Sequence, residues 1–203
     1  MSGRDPSPAA DSCQESCQDY ASRLQSILAS SRWDGVAELA ADLRACWRDG
    51  RRVFLCGNGG SAGNAAHLAN DFLYGISKQF GSGIRVCALS ANSSILTCLA
   101  NDCGYDAVFS MQLAVQGSAG DVLIALSGSG NSPNIVNAIE QAKTMRLKSY
   151  AILGYDGGKA KPLADVVIHF NVHDMQMSED LQLIVGHMAM QWLSRHPPDK
   201  VSA

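Results

Sequence analysis

Five short apolar runs constrain this chain more than any other feature. They are RRVFLC (51–56), IRVCALS (84–90), DVLIALS (121–127), SYAILGY (149–155) and DVVIHF (165–170). Helical patterns lie between and after them, at about 61–74, 93–101, 105–117, 133–145 and 178–194. The runs are continuous rather than alternating, which is the pattern of strands buried on both faces. Such strands separated by helices imply an α/β fold, a doubly wound five-stranded parallel sheet between helical layers.

Two amphipathic patterns precede the sheet. The first runs from about Cys13 to Ser30, with Tyr20, Leu24, Ile27 and Leu28 at helical spacing. The second, WDGVAELAADLRACW, sets Val36, Leu39, Leu43 and Trp47 on one face and stops at Asp49-Gly50. They are expected to form an N-terminal helical hairpin. Residues 1–12, polar and proline-bearing, read as a disordered tail, and 197–203 as a C-terminal tail. One domain over 13–196 remains. A chain of 203 residues can bury its core without disulfide or metal.

Composition narrows the function. A net charge of −3 gives no electrostatic reason to expect nucleic acid or an anionic membrane as partner. No stretch reaches the roughly 18 apolar residues of a membrane span. The start, MSGRDPSPAAD, lacks the basic-then-apolar pattern of a secretory signal. The seven cysteines are odd in number and contain no Cys-x-x-Cys pair, so they read as reduced thiols. A soluble, cytoplasmic protein is expected.

Two glycine-serine loops follow strands. GNGGSAGN, Gly57 to Asn64, follows the first, and SGSGNSPN, Ser127 to Asn134, follows the third. In a doubly wound sheet, loops at the carboxyl ends of strands line the ligand crevice. Glycines admit an anion close to the backbone, and a helix N-terminus presents unpaired N–H groups. Ser132 is placed as an N-cap with Pro133 as the first helical residue. Ser61, Ser127, Ser129 and Ser132 supply neutral hydroxyl donors with no lysine among them, which suits a phosphate monoester. Gly57, Gly59 and Ala62 match a dinucleotide fingerprint formally, but the next strand ends without the acidic residue that binds ribose. Neither loop has the Gly-Lys-Ser/Thr of a P-loop.

The stretches CGNGGSAGNAAHLANDF, LANDCGYDAVFS, GDVLIALSGSGNSPNIVNAI and ILGYDGGKAKPLADVVI resemble the sugar isomerase (SIS) domain. Within it they are most similar to the phosphoheptose isomerases, which interconvert sedoheptulose 7-phosphate and D-glycero-D-manno-heptose 7-phosphate. The resemblance covers about residues 20–195. It implies a homotetramer with active sites at subunit interfaces. It also implies that Ser61, Ser127, Ser129 and Ser132 bind phosphate, with Gly128 where the family has a threonine. Asn58, Gly59, Gly60, Asn101, Asp102 and Gln176 complete the implied substrate-binding set. The implied catalytic pair is Asp71, where the family has a glutamate, and His187. Glu179 stands where the family has a glutamine, and Gly75 where it has a substrate-binding arginine, with Lys78 close by. A non-catalytic SIS module that senses a sugar phosphate or docks a partner is the alternative, and the retained Asp71 and His187 disfavour it.

The side chains fit that chemistry. Aldose–ketose isomerisation through an enediol needs one group at the carbon-bound proton and another at the oxygens, and a carboxylate and an imidazole suit these tasks. His67 and Asp71 are spaced i, i+4 and share a helix face. Glu179 and His187 are eight apart, about 80° around a helix, so both can face one cleft. Together His67, Asp71, Glu179 and His187 form a two-histidine, two-carboxylate set suited to a zinc ion, and some phosphoheptose isomerases hold zinc at the matching positions. His169 and His173 read as loop or edge residues, and His196 as solvent-exposed.

Overall fold

The computed structural model describes residues 8–78 and 81–199. Helix α1 spans Pro8–Ser30 and is a compact unit of its own. It begins before the expected Cys13. A proline tolerated in the first turn, followed by two alanines, favours helix where a tail was expected. The rest of the expected tail, 1–7, lies outside the described residues.

The second unit starts at Trp33. Its elements in order are α2 (Asp34–Asp49), β1 (Arg52–Cys56), α3 (Gly60–Leu73), β2 (Arg85–Ala88), α4 (Ser93–Cys103), α5 (Ser110–Gln116), β3 (Val122–Ser127), α6 (Pro133–Thr144), β4 (Lys148–Leu153), β5 (Val166–His169) and α7 (Met175–Arg195). The five strands form one parallel sheet in the order β2-β1-β3-β4-β5. Val53 pairs with Val86 on one side and Val122 on the other, and Tyr150 pairs with Val166. All six residues of β3 are buried, as continuous apolar runs require.

One face of the sheet presents Phe54, Leu123 and Ala151 to Leu113 of α5 and to Ile135 and Ile139 of α6. Helices α2, α3 and α7 cover the other face, burying Leu39, Leu43, Trp47, Leu68, Leu181 and Val185. The helical run expected over 105–117 is divided. Gly104 at φ +91° stops α4, a single tight turn covers Tyr105–Ala107, and α5 begins only at Ser110. The last helix starts at Met175, three residues before the expected 178, because the Asp174 carboxylate accepts from the Met177 N–H and caps it. Beyond α7, Arg44 donates to the carbonyls of His196 and Pro197, so the expected tail is held at its first residues.

Helices α3 and α7 lie side by side and run in the same direction. Glu179 abuts Gly60, Gln182 bonds Asn64, and His187 faces His67. This pairing aligns the side chains of the two helices residue against residue.

Candidate functional site

A small cleft of about 110 Å³ opens where β1 and β3 meet their following helices. Asn58 and Ser61 line it from the first loop, Ser127, Gly128, Ser129 and Ser132 from the second, and Met175 and Glu179 from α7. The loops can approach because their turns are tight. A Cβ on Gly57 would collide with the Ser61 backbone, and Gly130 sits at φ +66° with its Cα against the Gly157 carbonyl. Asn58 and Asn134 exchange amide hydrogen bonds at 2.9 Å and clamp one loop to the other. The Tyr105 hydroxyl donates to Asn58 Oδ1 at 3.1 Å.

The serine hydroxyls share one polarity. Ser127 Oγ accepts from the Gly130 N–H at 3.0 Å and Ser129 Oγ from the Asn131 N–H at 3.3 Å. Ser61 Oγ accepts from Gln182 Nε2 at 3.0 Å. Each oxygen is engaged as an acceptor, so each proton is left to donate. Ser132 stands at the N-cap of α6 as expected, but its side chain makes no cap bond. Three serine hydroxyls with protons free to donate, at two helix starts, can hold an acceptor-only anion, with the Glu179 carboxylate the one anionic group in the lining.

Gly128, where the resemblance expects a threonine, lies against Met175 Sδ and Ser178, and a Cβ there would displace the thioether. Gly59 faces open space and Gln176 is exposed on the first turn of α7. Asn101 and Asp102 are exposed at the end of α4, where Asn101 donates to Asp102 at 2.7 Å and Cys98 Sγ lies 3.5 Å from the same carboxylate. They lie outside the lining of the cleft. Gly75 packs near Asp71, and Lys78 Nζ sits 5.6 Å above the Tyr74 ring.

Two helical turns along α3, three of the four expected ligating side chains meet. Asp71 Oδ2 is 3.4 Å from His67 Nε2 and 3.4 Å from His187 Nε2, and the two imidazole nitrogens are 2.9 Å apart. Roughly 3.4 Å is the edge of a tetrahedron built on ligand bonds of roughly 2.1 Å, so these three groups could hold a metal ion. The fourth expected member is elsewhere. Glu179 lies at the mouth of α3, its carboxylate filling the space where a Gly60 Cβ would be. Eight helical residues separate it from His187 by about 12 Å along the axis, and the parallel packing of α3 on α7 preserves that offset.

Three residues of the site carry no sequence signal of their own. Asn134 is buried beneath the loops, Tyr105 reaches over from the turn after α4, and Gln182 is buried between α3 and α7. Only Asn134 could have been suspected, since it closes the SGSGNSPN loop. His169 ends the edge strand β5 and bonds the Tyr155 carbonyl at 2.8 Å, and His173 is paired with Asp156 at 3.3 Å. Both are remote from the triad in sequence and bonding.

Residues 17–154 match the SIS domain family. The phosphoheptose isomerase of Chlorobaculum parvum is 37% identical over 174 residues, which is 85% of this chain and 83% of that protein. The phosphoheptose isomerase of Helicobacter pylori is 39% identical over 145 residues, covering 71% of this chain and 75% of its own. Among solved structures, a phosphoheptose isomerase from Neisseria gonorrhoeae superposes with a TM-score of 0.82 at 27% identity, over 90% of this chain and 99% of that one. With a parallel five-stranded sheet, two serine loops and an acid–imidazole cluster in one molecule, this chain belongs to the SIS-domain family of phosphoheptose isomerases.

Proposed function

We propose that the chain is an aldose–ketose isomerase that converts sedoheptulose 7-phosphate to D-glycero-D-manno-heptose 7-phosphate. The observation that carries this reading is the joint presence, along α3 and α7, of a serine-lined cleft and an Asp–His cluster two turns away. The naming of the relatives supports the same substrate.

In this reading the phosphoryl group accepts from Ser61, Ser127, Ser129 and Ser132, with the N–H groups at the starts of α3 and α6. The Asp71 carboxylate removes the proton on C1 of the ketose, and His187 passes a proton to the C2 oxygen, giving an enediol. Return of the proton to C2 and loss of the O1 proton complete the aldose. His67 holds its ring against His187 and positions it. A divalent ion held by His67, Asp71 and His187 would supply Lewis-acid stabilisation of charge on the substrate oxygens. Zinc suits these ligands best.

We place the enzyme in the cytoplasm as a homotetramer with active sites at subunit interfaces. The seven cysteines are all unpaired, which supports a reducing compartment. Among the described residues, no helix is long and apolar enough to cross a membrane. The apolar groove formed by Trp33, Val36, Met188 and Trp192, between α2 and α7, supports association. Light scattering is expected to give four chains per particle, and a monodisperse monomer would overturn the assembly.

The deciding experiment is incubation of the sugar phosphate in D₂O with NMR detection. Deuterium is expected at the carbon beside the carbonyl. No exchange with any pentose, hexose or heptose phosphate would reject the reading.

A further inference from the structure

Ser61 opens the first turn of α3 and is 4% exposed, and Gln182 beneath it is 1% exposed. Three hydrogen bonds join this pair to Asn64 and to the Glu179 carbonyl. Asn64 Nδ2 donates to the Glu179 carbonyl at 2.9 Å and to Gln182 Oε1 at 3.0 Å, and Gln182 Nε2 donates to Ser61 Oγ at 3.0 Å. A backbone carbonyl can only accept, so the Glu179 carbonyl fixes which way the Asn64 amide turns. That orientation forces the Gln182 oxygen toward Asn64 and its NH₂ toward Ser61. The serine oxygen is therefore an acceptor on its buried side. Its proton has no acceptor among the described residues, and the direction left open is the cleft.

We propose that Gln182 is a positioning residue for anion recognition: by donating to the Ser61 oxygen from its buried side, it holds the hydroxyl with its proton free to donate into the cleft. The proposal rests on the phosphate reading of the serine cleft given above. It extends that reading, because Gln182 does not line the cleft and acts only through Ser61.

The test uses the full-length protein and two probes, inorganic phosphate by titration calorimetry and sedoheptulose 7-phosphate by exchange kinetics. Gln182→Glu places an acceptor opposite Ser61 and turns its proton inward. Phosphate affinity is expected to fall about tenfold or more, the loss of one hydrogen bond to a charged group. KM should rise by a similar factor while kcat stays within about threefold, because the lost interaction is common to ground and transition states. Gln182→His, whose ring N–H can donate to the same oxygen, should restore affinity to within about threefold. Gln182→Met fills the same volume without a donor and without adding charge, and should weaken phosphate binding by a similar factor. In a Ser61→Ala background, Gln182→Met should weaken binding by less than about twofold, since the two changes remove one interaction. Wild-type phosphate affinity in Gln182→Met, or full additivity with Ser61→Ala, overturns the proposal. If wild-type protein shows this phosphate pattern yet exchanges no sugar, the isomerase reading fails and the role of Gln182 stands. Absence of phosphate binding by the wild type overturns both.

Discussion

His67 and His187 face each other across α3 and α7 with their Nε2 atoms 2.9 Å apart. Two neutral imidazoles satisfy that contact only when one ring donates and the other accepts. Two protonated rings would repel at this distance. Asp71 Oδ2, 3.4 Å from both nitrogens, draws positive charge toward the same point. The cluster is arranged around a position where one cation would satisfy all three groups.

Protein purified without chelator is therefore expected to carry close to one divalent ion per chain by elemental analysis. His187→Ala should lose it. A ligand present at a hundredfold its Kd stabilises a fold by about 2.7 kcal/mol. Chelation should accordingly lower the melting temperature of the wild type and leave that of His187→Ala unmoved. An equal effect on both would place the ion elsewhere.

Asp71→Asn keeps the shape of the side chain and removes the proposed base. Exchange of the carbon-bound proton should slow by about 10²–10⁴, the usual contribution of one positioned proton transfer. Phosphate affinity should be unchanged, since the serine cleft is two turns away. Loss of phosphate binding in this variant would show the two sites to be energetically one.

Ser129 meets the cleft with its oxygen already accepting from the Asn131 N–H. Ser129→Ala is expected to weaken sugar phosphate binding by roughly 10- to 150-fold, corresponding to about 1.5–3 kcal/mol for a bond to a charged group. Titration with the phosphorylated sugar measures it. The unphosphorylated sugar serves as the control and should bind the two proteins alike.

Glu179 brings a carboxylate into a cleft otherwise built of donors. Glu179→Gln removes a like charge from the neighbourhood of the bound anion. Phosphate should bind about fivefold more tightly, equivalent to about 1 kcal/mol of relieved repulsion. Weaker binding would mean that the carboxylate moves aside and supports the ligand through another contact.

Cys56 ends β1 in the middle of the sheet, and burial pushes its thiol from the ordinary 9.0 up to about 12. The folded pKa is the higher, so the unfolded chain loses the proton first. Stability is fully present below pH 9.0 and falls as pH rises between 9.0 and about 12. The slope from this group is about 1.4 kcal/mol per pH unit. Urea midpoints at pH 8 and pH 10 measure the fall, and Cys56→Ala should make it shallower.

The sequence made the sheet legible because a strand buried on both faces cannot hide its composition. Val53 to Cys56 and Val122 to Leu126 have no polar position to confuse the period. The two serine loops were legible for a related reason, since the glycine required at Gly57 and Gly130 by close backbone contacts leaves a visible mark. His67 and Asp71 came from the family resemblance, and their i, i+4 spacing agrees with the contact between them. Glu179 came the same way and lies outside that cluster. An angular argument about one helix says nothing of axial offset, and the offset between α7 residues is what separates Glu179 from His187. Gln182 was silent because a lone amide on an apolar helix face has no motif, and its meaning comes only from Asn64 and Ser61 on another helix.

The same-direction pairing of α3 and α7 makes helix α3 a ruler. Ser61 marks one end and the pair His67 and Asp71 the other, six to ten residues on. At roughly 1.5 Å per residue, that spacing is about 9–15 Å along the helix axis. A molecule that holds its phosphate at the first mark and offers a carbonyl carbon at the second must have a carbon chain long enough to reach. Short sugar phosphates anchored by the same serines would leave their reactive end stranded between the marks. On the proposed phosphate and proton-transfer sites, selection by length would need no side chain that touches the middle of the sugar.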